Sequence, residues 1–229
     1  YNNKMIWIII SCIVLLIILL LLFKKDTLQD IPFIFGLNDK KEDYTPPKIF
    51  NNFITKQEAD LIIKLAKPKM KKSTIRGYEM DKKVRDSETT WLDKKSHSLI
   101  KKIYQKVSNI TNKDENHMEN LQVIHYTSSQ QFKAHYDQCP RDEAWNIQEL
   151  TRHKGPRLYT LLIYLNDNYN GGETEFPRLN QKFKLKAGDA VLFHNLDNQE
   201  KQVHKDALHS GNPISTGEKW AANIWIRRV

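Results

Sequence analysis

From Leu121 to the end of the chain, short runs rich in Val, Ile, Tyr, Phe and Thr alternate with Gly, Pro and Asn. β-Branched and aromatic side chains suit a pleated, half-buried surface, and the interrupting residues supply turns. The runs at 121–127, 131–137, 157–166, 173–176, 182–185, 189–194, 202–209 and 218–228 predict strands. Strands of this number and spacing predict a jelly roll, that is, a double-stranded β-helix. Gly171-Gly172 and Gly188-Asp189 stand where turns are needed. Helices are expected upstream: Thr55 to Glu58 has the capping-box spacing, with Ala59, Ile62, Ile63 and Ala66 following at helical intervals before Pro68. A second amphipathic helix is read from Leu99, Ile100, Ile103, Tyr104 and Val107. The expected class is mainly β with flanking helices (α+β), the helices packed on one face of a sheet.

In the strand at 131–137, His135 and Asp137 are two residues apart, so an extended backbone points imidazole and carboxylate to the same side. Non-haem Fe(II) oxygenases use such a mixed pair, completed by one more histidine and leaving open positions on the metal. The candidates for that histidine are His194, within AVLFHN, His204, flanked by valine and lysine, and His209.

The chain resembles the prolyl 4-hydroxylases among the Fe(II)/2-oxoglutarate-dependent dioxygenases. The resemblance runs in order through VRDSETTWL (84–92), ENLQVIHY (119–126), FKAHYD (132–137), RLYTLLIYLN (157–166), GGETEFP (171–177), AGDAVLFHN (187–195) and LHSGNPISTGEKW (208–220). It implies His135, Asp137 and His209 as the Fe(II) ligands and catalytic centre, with 2-oxoglutarate and O2 as co-substrates and ascorbate as reductant. It implies Lys219 as the partner of the distal carboxylate of 2-oxoglutarate, with the hydroxyls of Tyr126 and Thr160 helping to hold that molecule. Phe132, Arg157 and Trp225 fall at positions near a peptide groove, and the stretch at 73–90 corresponds to a loop that closes over peptide in the family, which places Arg85, Ser87 and Trp91 near the substrate. Phe132 departs from the family's usual tyrosine, which removes a hydroxyl from the peptide side but leaves the iron chemistry intact. The expected reaction is hydroxylation of peptidyl proline at C4, coupled to decarboxylation of 2-oxoglutarate to succinate and CO2. A proline-rich or collagen-like peptide is the expected substrate; peptidyl-lysine hydroxylation and nucleic-acid demethylation are the alternatives. Residues 138–156, directly after Asp137 and carrying Arg141, Asp142, Glu143, Trp145 and Arg152, form a candidate lid.

Residues 5–23 carry no charge and are dense in Ile and Leu, a length that matches the ~30 Å of bilayer hydrocarbon. No small-residue cleavage site follows, so residues 1–23 are expected to be a single-pass transmembrane anchor, with 24–46 a linker and 47–229 the catalytic domain. Lys24 and Lys25 favour a cytoplasmic domain by the positive-inside rule. The family's anchored members place theirs in the lumen of the secretory pathway, and a lumenal endoplasmic-reticulum location is the expectation. There, the sequon Asn109-Ile110-Thr111 would be meaningful. The net charge of +9 is scattered apart from a modest cluster at 67–72, and no nucleic-acid-binding motif accompanies it, so no nucleic-acid partner is expected. With Cys12 in the apolar run and only Cys139 beyond it, the domain can form no internal disulfide.

Overall fold

The computed structural model describes residues 37–75, 78–79, 85–138 and 155–228. The apolar run at 5–23, Cys139 and the lid residues Arg141, Asp142, Glu143, Trp145 and Arg152 lie outside them. Among the described residues, no helix is long and apolar enough to cross a membrane.

The principal strands in chain order are β1 (Lys48–Phe50), β2 (Lys71–Lys72), β3 (Glu88–Leu92), β4 (Leu121–Tyr126), β5 (Phe132–His135) and β6 (Arg157–Tyr164). They continue as β7 (Thr174–Phe176), β8 (Gln181–Phe183), β9 (Ala190–His194), β10 (His209–Gly211) and β11 (Lys219–Arg227). A seven-stranded sheet has the order β1-β9-β6-β11-β4-β3-β2, and a four-stranded sheet the order β8-β7-β10-β5. Each strand pair within them is antiparallel. This is the jelly-roll arrangement expected from the strand spacing.

Two helices cover the outer face of the large sheet. Helix α1 (Lys56–Ala66) starts at a complete capping box: Thr55 Oγ1 accepts from the Glu58 amide, and Glu58 Oε2 accepts from the Thr55 amide. Helix α2 (Ser98–Thr111) buries Leu99, Ile100, Ile103, Tyr104 and Val107, the five positions read from its periodicity. These pack with Ile62 on Leu121, Val123, Leu161, Ile163 and Ile224 to form the main apolar core. Side chains alternate along a strand, so Gln122, Ile124 and Tyr126 of β4 turn the other way, towards the small sheet. A pocket lies there, lined by both sheets.

Three expectations change. The polar stretch at 73–90, read as a loop, ends in strand β3, and Thr74–Ile75 pairs with Tyr78–Glu79. Strand β3 escaped notice because its alternation is carried mostly by polar residues: Thr90 and Leu92 are buried, while Trp91 is exposed. The single strand expected at 202–209 is instead Val203–His204, a 3-10 turn at Lys205–Ala207, and β10, because its two ends serve different sheets. The first pairs in parallel with Leu37–Asn38 and the second joins β5. That parallel pair also docks part of the stretch read as linker. Within it, Tyr44 is buried, stacks on His204 at 4.7 Å and donates to the His194 carbonyl.

Candidate active site

Strands β5 and β10 bring the first two ligands together by register, since His135 is the direct cross-strand partner of His209. Asp137 lies just beyond the end of β5. Its Oδ1 is 3.7 Å from His135 Nε2 and its Oδ2 is 3.7 Å from His209 Nε2. The three ligand atoms all lie within 4.8 Å of one another. Each imidazole is oriented by the backbone: His135 Nδ1 donates to the Lys133 carbonyl at 2.8 Å, and His209 Nδ1 to the Ala207 carbonyl at 2.9 Å. With Nδ1 carrying the proton, both Nε2 lone pairs face the carboxylate, the tautomer a metal requires. Burial pushes His209 down to about 4, with neighbouring His135 acting in the same direction, so its ring is neutral. Burial would raise Asp137, but His209, His135 and Arg157 outweigh it and hold the carboxyl well below its usual range. Two imidazoles and a carboxylate on one side of a cavity fit Fe(II) with open positions.

The other two histidines are engaged elsewhere. His204 is fully buried; its Nε2 donates to the Lys40 carbonyl at 3.0 Å and its Nδ1 accepts from the Asp206 amide at 3.1 Å, which uses both nitrogens. Phe193 lines the pocket, so by strand alternation its neighbour His194 points away, where it meets the Tyr159 ring edge-on.

Deeper in the pocket is Lys219, buried and without a carboxylate at ion-pair distance among the described residues. Its Nζ donates to the Gly172 carbonyl at 2.6 Å and lies 3.5 Å from Thr174 Oγ1. Gly172 has φ +68°, and a Cβ there would meet the Ile214 side chain at 2.3 Å, so the turn presenting this carbonyl requires glycine. Burial lowers Lys219 to about 8. A buried ammonium in want of an anion, with a hydroxyl beside it, suits the distal carboxylate of 2-oxoglutarate. Tyr126 lines the same pocket, and burial raises its phenol. Thr160, expected here, is elsewhere: its Oγ1 donates to Asp137 Oδ2 at 2.7 Å. The hydroxyl beside Lys219 is that of Thr174, which sequence reasoning passed over within GGETEFP, where the only signal was its adjacency to the Gly171-Gly172 turn.

On the outer side, Arg85 and Ser87 are buried rather than loop-exposed. Arg85 Nε donates to Ser87 Oγ at 2.8 Å, and its guanidinium lies over the Phe132 ring at 4.7 Å. Phe132 in turn stacks on His135 at 3.5 Å. Arg157 covers Trp225 at 3.8 Å and pairs with Glu119, which also binds Arg227. Arg157 Nη1 donates to the Asp137 carbonyl, tying this cluster to the metal set. Trp225 meets the half-exposed Trp91 at 5.7 Å. Two pocket-lining donors, Arg85 Nη2 and Trp225 Nε1, are buried with no hydrogen-bond partner among the described residues.

Known proteins share this architecture. The profile of the 2OG-Fe(II) oxygenase superfamily matches residues 121–227. A protein of Acanthamoeba polyphaga mimivirus, provisionally named a prolyl 4-hydroxylase, is 35% identical over 193 residues, covering 84% of this chain and 78% of its own. Prolyl 4-hydroxylase 5 of Arabidopsis thaliana is 32% identical over 202 residues, covering 78% of this chain and 67% of its own. Among solved structures, the viral collagen prolyl hydroxylase of Paramecium Bursaria Chlorella virus-1, in its 2OG complex, superposes with a TM-score of 0.64 at 31% identity. That match covers 81% of this chain and 97% of that one.

Proposed function

This chain belongs to the prolyl 4-hydroxylase family of the 2OG-Fe(II) oxygenase superfamily, and we infer from its pocket that it hydroxylates peptidyl proline at C4, using Fe(II), 2-oxoglutarate and O2. The observation that carries this reading is one pocket holding both the convergent set His135, Asp137 and His209 and the buried Lys219, which has no carboxylate at ion-pair distance among the described residues. When bound, iron would activate O2, the oxidant, while 2-oxoglutarate would supply two electrons as it loses CO2 to become succinate; one oxygen atom ends in succinate and the other in the hydroxyl of the substrate. The chain's own residues bind, orient and exclude water. His135, Asp137 and His209 hold the metal, while Lys219 and Thr174 take the distal carboxylate of 2-oxoglutarate. The apolar lining from Leu162, Phe193 and Ala221 keeps water from the reacting atoms.

The peptide lies on the outer side. The orphaned donors Arg85 Nη2 and Trp225 Nε1 supply hydrogen bonds for its carbonyl groups, which relieves the penalty of leaving them buried and unpaired. Proline-rich chains adopt polyproline II and are extended before they bind, and Trp225 and Trp91 offer faces for their rings. The resemblance to a viral collagen prolyl hydroxylase supports a collagen-like substrate. The deciding experiment incubates the full-length chain with Fe(II), 2-oxoglutarate and ascorbate. Its substrates are (Pro-Pro-Gly) repeats, poly-proline, a proline-free lysine peptide and methylated single-stranded DNA. A gain of one oxygen on proline, lost in His135→Ala and His209→Ala, is expected. Oxidation of lysine alone, or demethylation alone, would transfer the enzyme to the corresponding relatives.

We also propose that residues 5–23 anchor the protein in a membrane with the catalytic domain in the secretory lumen. The uncharged apolar length of that run supports the anchor, and the exposed sequon residue Asn109 on α2 agrees with a lumenal side.

A further inference from the structure

Asp137 poses a positioning problem. It follows the last paired residue of β5, so no strand ladder fixes it, yet its two carboxylate oxygens face two different imidazoles. Its main chain is held by Arg157 Nη1, and its side chain by Thr160 Oγ1, which donates to Oδ2 at 2.7 Å. Behind Thr160 stands Asn195, whose Nδ2 donates to the same Thr160 oxygen at 3.0 Å. Thr160 and Asn195 are each only 1% exposed, so water does not compete for either group.

A threonine hydroxyl has one proton and two acceptor sites. The Asn195 amide, as a donor, occupies an acceptor site, and the carboxylate, which only accepts, takes the proton. The chain Asn195 Nδ2 to Thr160 Oγ1 to Asp137 Oδ2 therefore has a single direction, and it leaves Asp137 Oδ1 as the oxygen free for the metal. The arrangement carries a penalty that a purely structural asparagine would not: Asn195 Oδ1 is buried with no partner among the described residues. Asn195 is fixed by backbone bonds on both sides, donating its N–H to the Leu158 carbonyl and accepting from the His204 amide. We propose that Asn195 and Thr160 are positioning residues, a buried one-way relay that holds Asp137 with Oδ2 bonded to Thr160 and Oδ1 presented to the metal.

Because Asn195 has an unsatisfied oxygen, structural and positioning roles predict opposite outcomes for Asn195→Leu, which keeps the branched outline and removes both polar atoms. The test titrates the metal-free full-length chain with Co(II) and reads affinity and the visible d–d spectrum, alongside the thermal midpoint without metal. Thr160→Val is expected to weaken Co(II) binding by about 10–100-fold, and Asn195→Leu by roughly tenfold with an altered spectrum. The metal-free midpoint of Asn195→Leu is expected to be unchanged or raised, and Thr160→Ser, which keeps the hydroxyl, to bind like the unaltered chain. Asn195→Leu that binds Co(II) with unchanged affinity and spectrum overturns the relay, as does a lowered midpoint with normal metal binding. The inference rests on His135, Asp137 and His209 as the metal set. If the unaltered chain binds no Co(II), that set is wrong and the relay falls with it; if it binds and the variants match it, only the relay fails.

Discussion

Lys219 is a buried cation whose nearest polar contacts are a carbonyl and a hydroxyl, and burial without an anion lowers its value to about 8. Removing one partner of a buried ion pair costs about 3–5 kcal/mol. Lys219→Ala is therefore expected to raise the KM for 2-oxoglutarate about a hundredfold or more. An unchanged KM would place the distal carboxylate elsewhere. The same lysine sets a pH dependence. Its folded-state value of about 8 means that the ammonium is present below that pH and lost above it. Affinity for 2-oxoglutarate is expected to be flat below about pH 8 and to weaken about tenfold per unit above it. The effect on folding without 2-oxoglutarate has the opposite sign. Between the folded value and the ordinary one of 10.5, the unfolded chain binds more protons, so this group's contribution to stability rises with pH across that window. A 2-oxoglutarate KM independent of pH through this range would remove Lys219 from the pocket chemistry. His135 and Asp137 were a candidate pair from their spacing, while His209 and Lys219 were marked by the family resemblance; the structure brings the first three together and lines the same pocket with Lys219. Thr160 and Thr174 were harder to place, because a hydroxyl fits a core as readily as a site, and only the fold shows that Thr160 meets Asp137 while Thr174 stands beside Lys219.

At the level of elements, the helices were easiest to read. Their apolar stripes and the Thr55 capping box are local signals, and the structure keeps both. Thr55→Ala removes a side-chain acceptor at the head of α1 and is expected to cost about 1 kcal/mol. For a chain of this size, that lowers the thermal midpoint by roughly 2–4 °C. Kinetic constants should be unchanged, since α1 packs on the face of the large sheet away from the pocket. A thermal midpoint equal to that of the unaltered chain would show that the capping box contributes nothing. Strands were read well where Val, Ile and Leu alternate, as in β4, β6 and β11, and missed where polar residues carry the alternation, as in β3. The short pair of Asn170–Gly171 with Ile214–Thr216 was unreadable for another reason: its partners lie far apart in sequence, and neither run has a hydrophobic period.

For the whole molecule, the sequence was sufficient for a jelly roll with helices on one face, because strand number and spacing limit the ways such a chain can bury its apolar sides. It was insufficient for the inner edge of the linker, since the docking of Tyr44 on His204 joins segments some 160 residues apart and leaves no local pattern. The proposed anchor and lumenal orientation make a joint prediction. The full-length chain should stay with membranes through carbonate extraction, and its mobility should shift on treatment with an N-glycosidase unless Asn109 is replaced by Gln. Release by carbonate would remove the anchor; retention with an unglycosylated Asn109 would favour the cytoplasmic side, which Lys24 and Lys25 support.

The direct pairing of His135 with His209 across β5 and β10 has a consequence for assembly. Side chains on a strand repeat every two residues, so sliding one of these strands past the other by a single residue would turn one imidazole to the opposite face. Only molecules zipped in the correct frame can close around the ion. A misaligned fraction would therefore lower metal uptake below one equivalent, a deficit that protein concentration alone would not reveal.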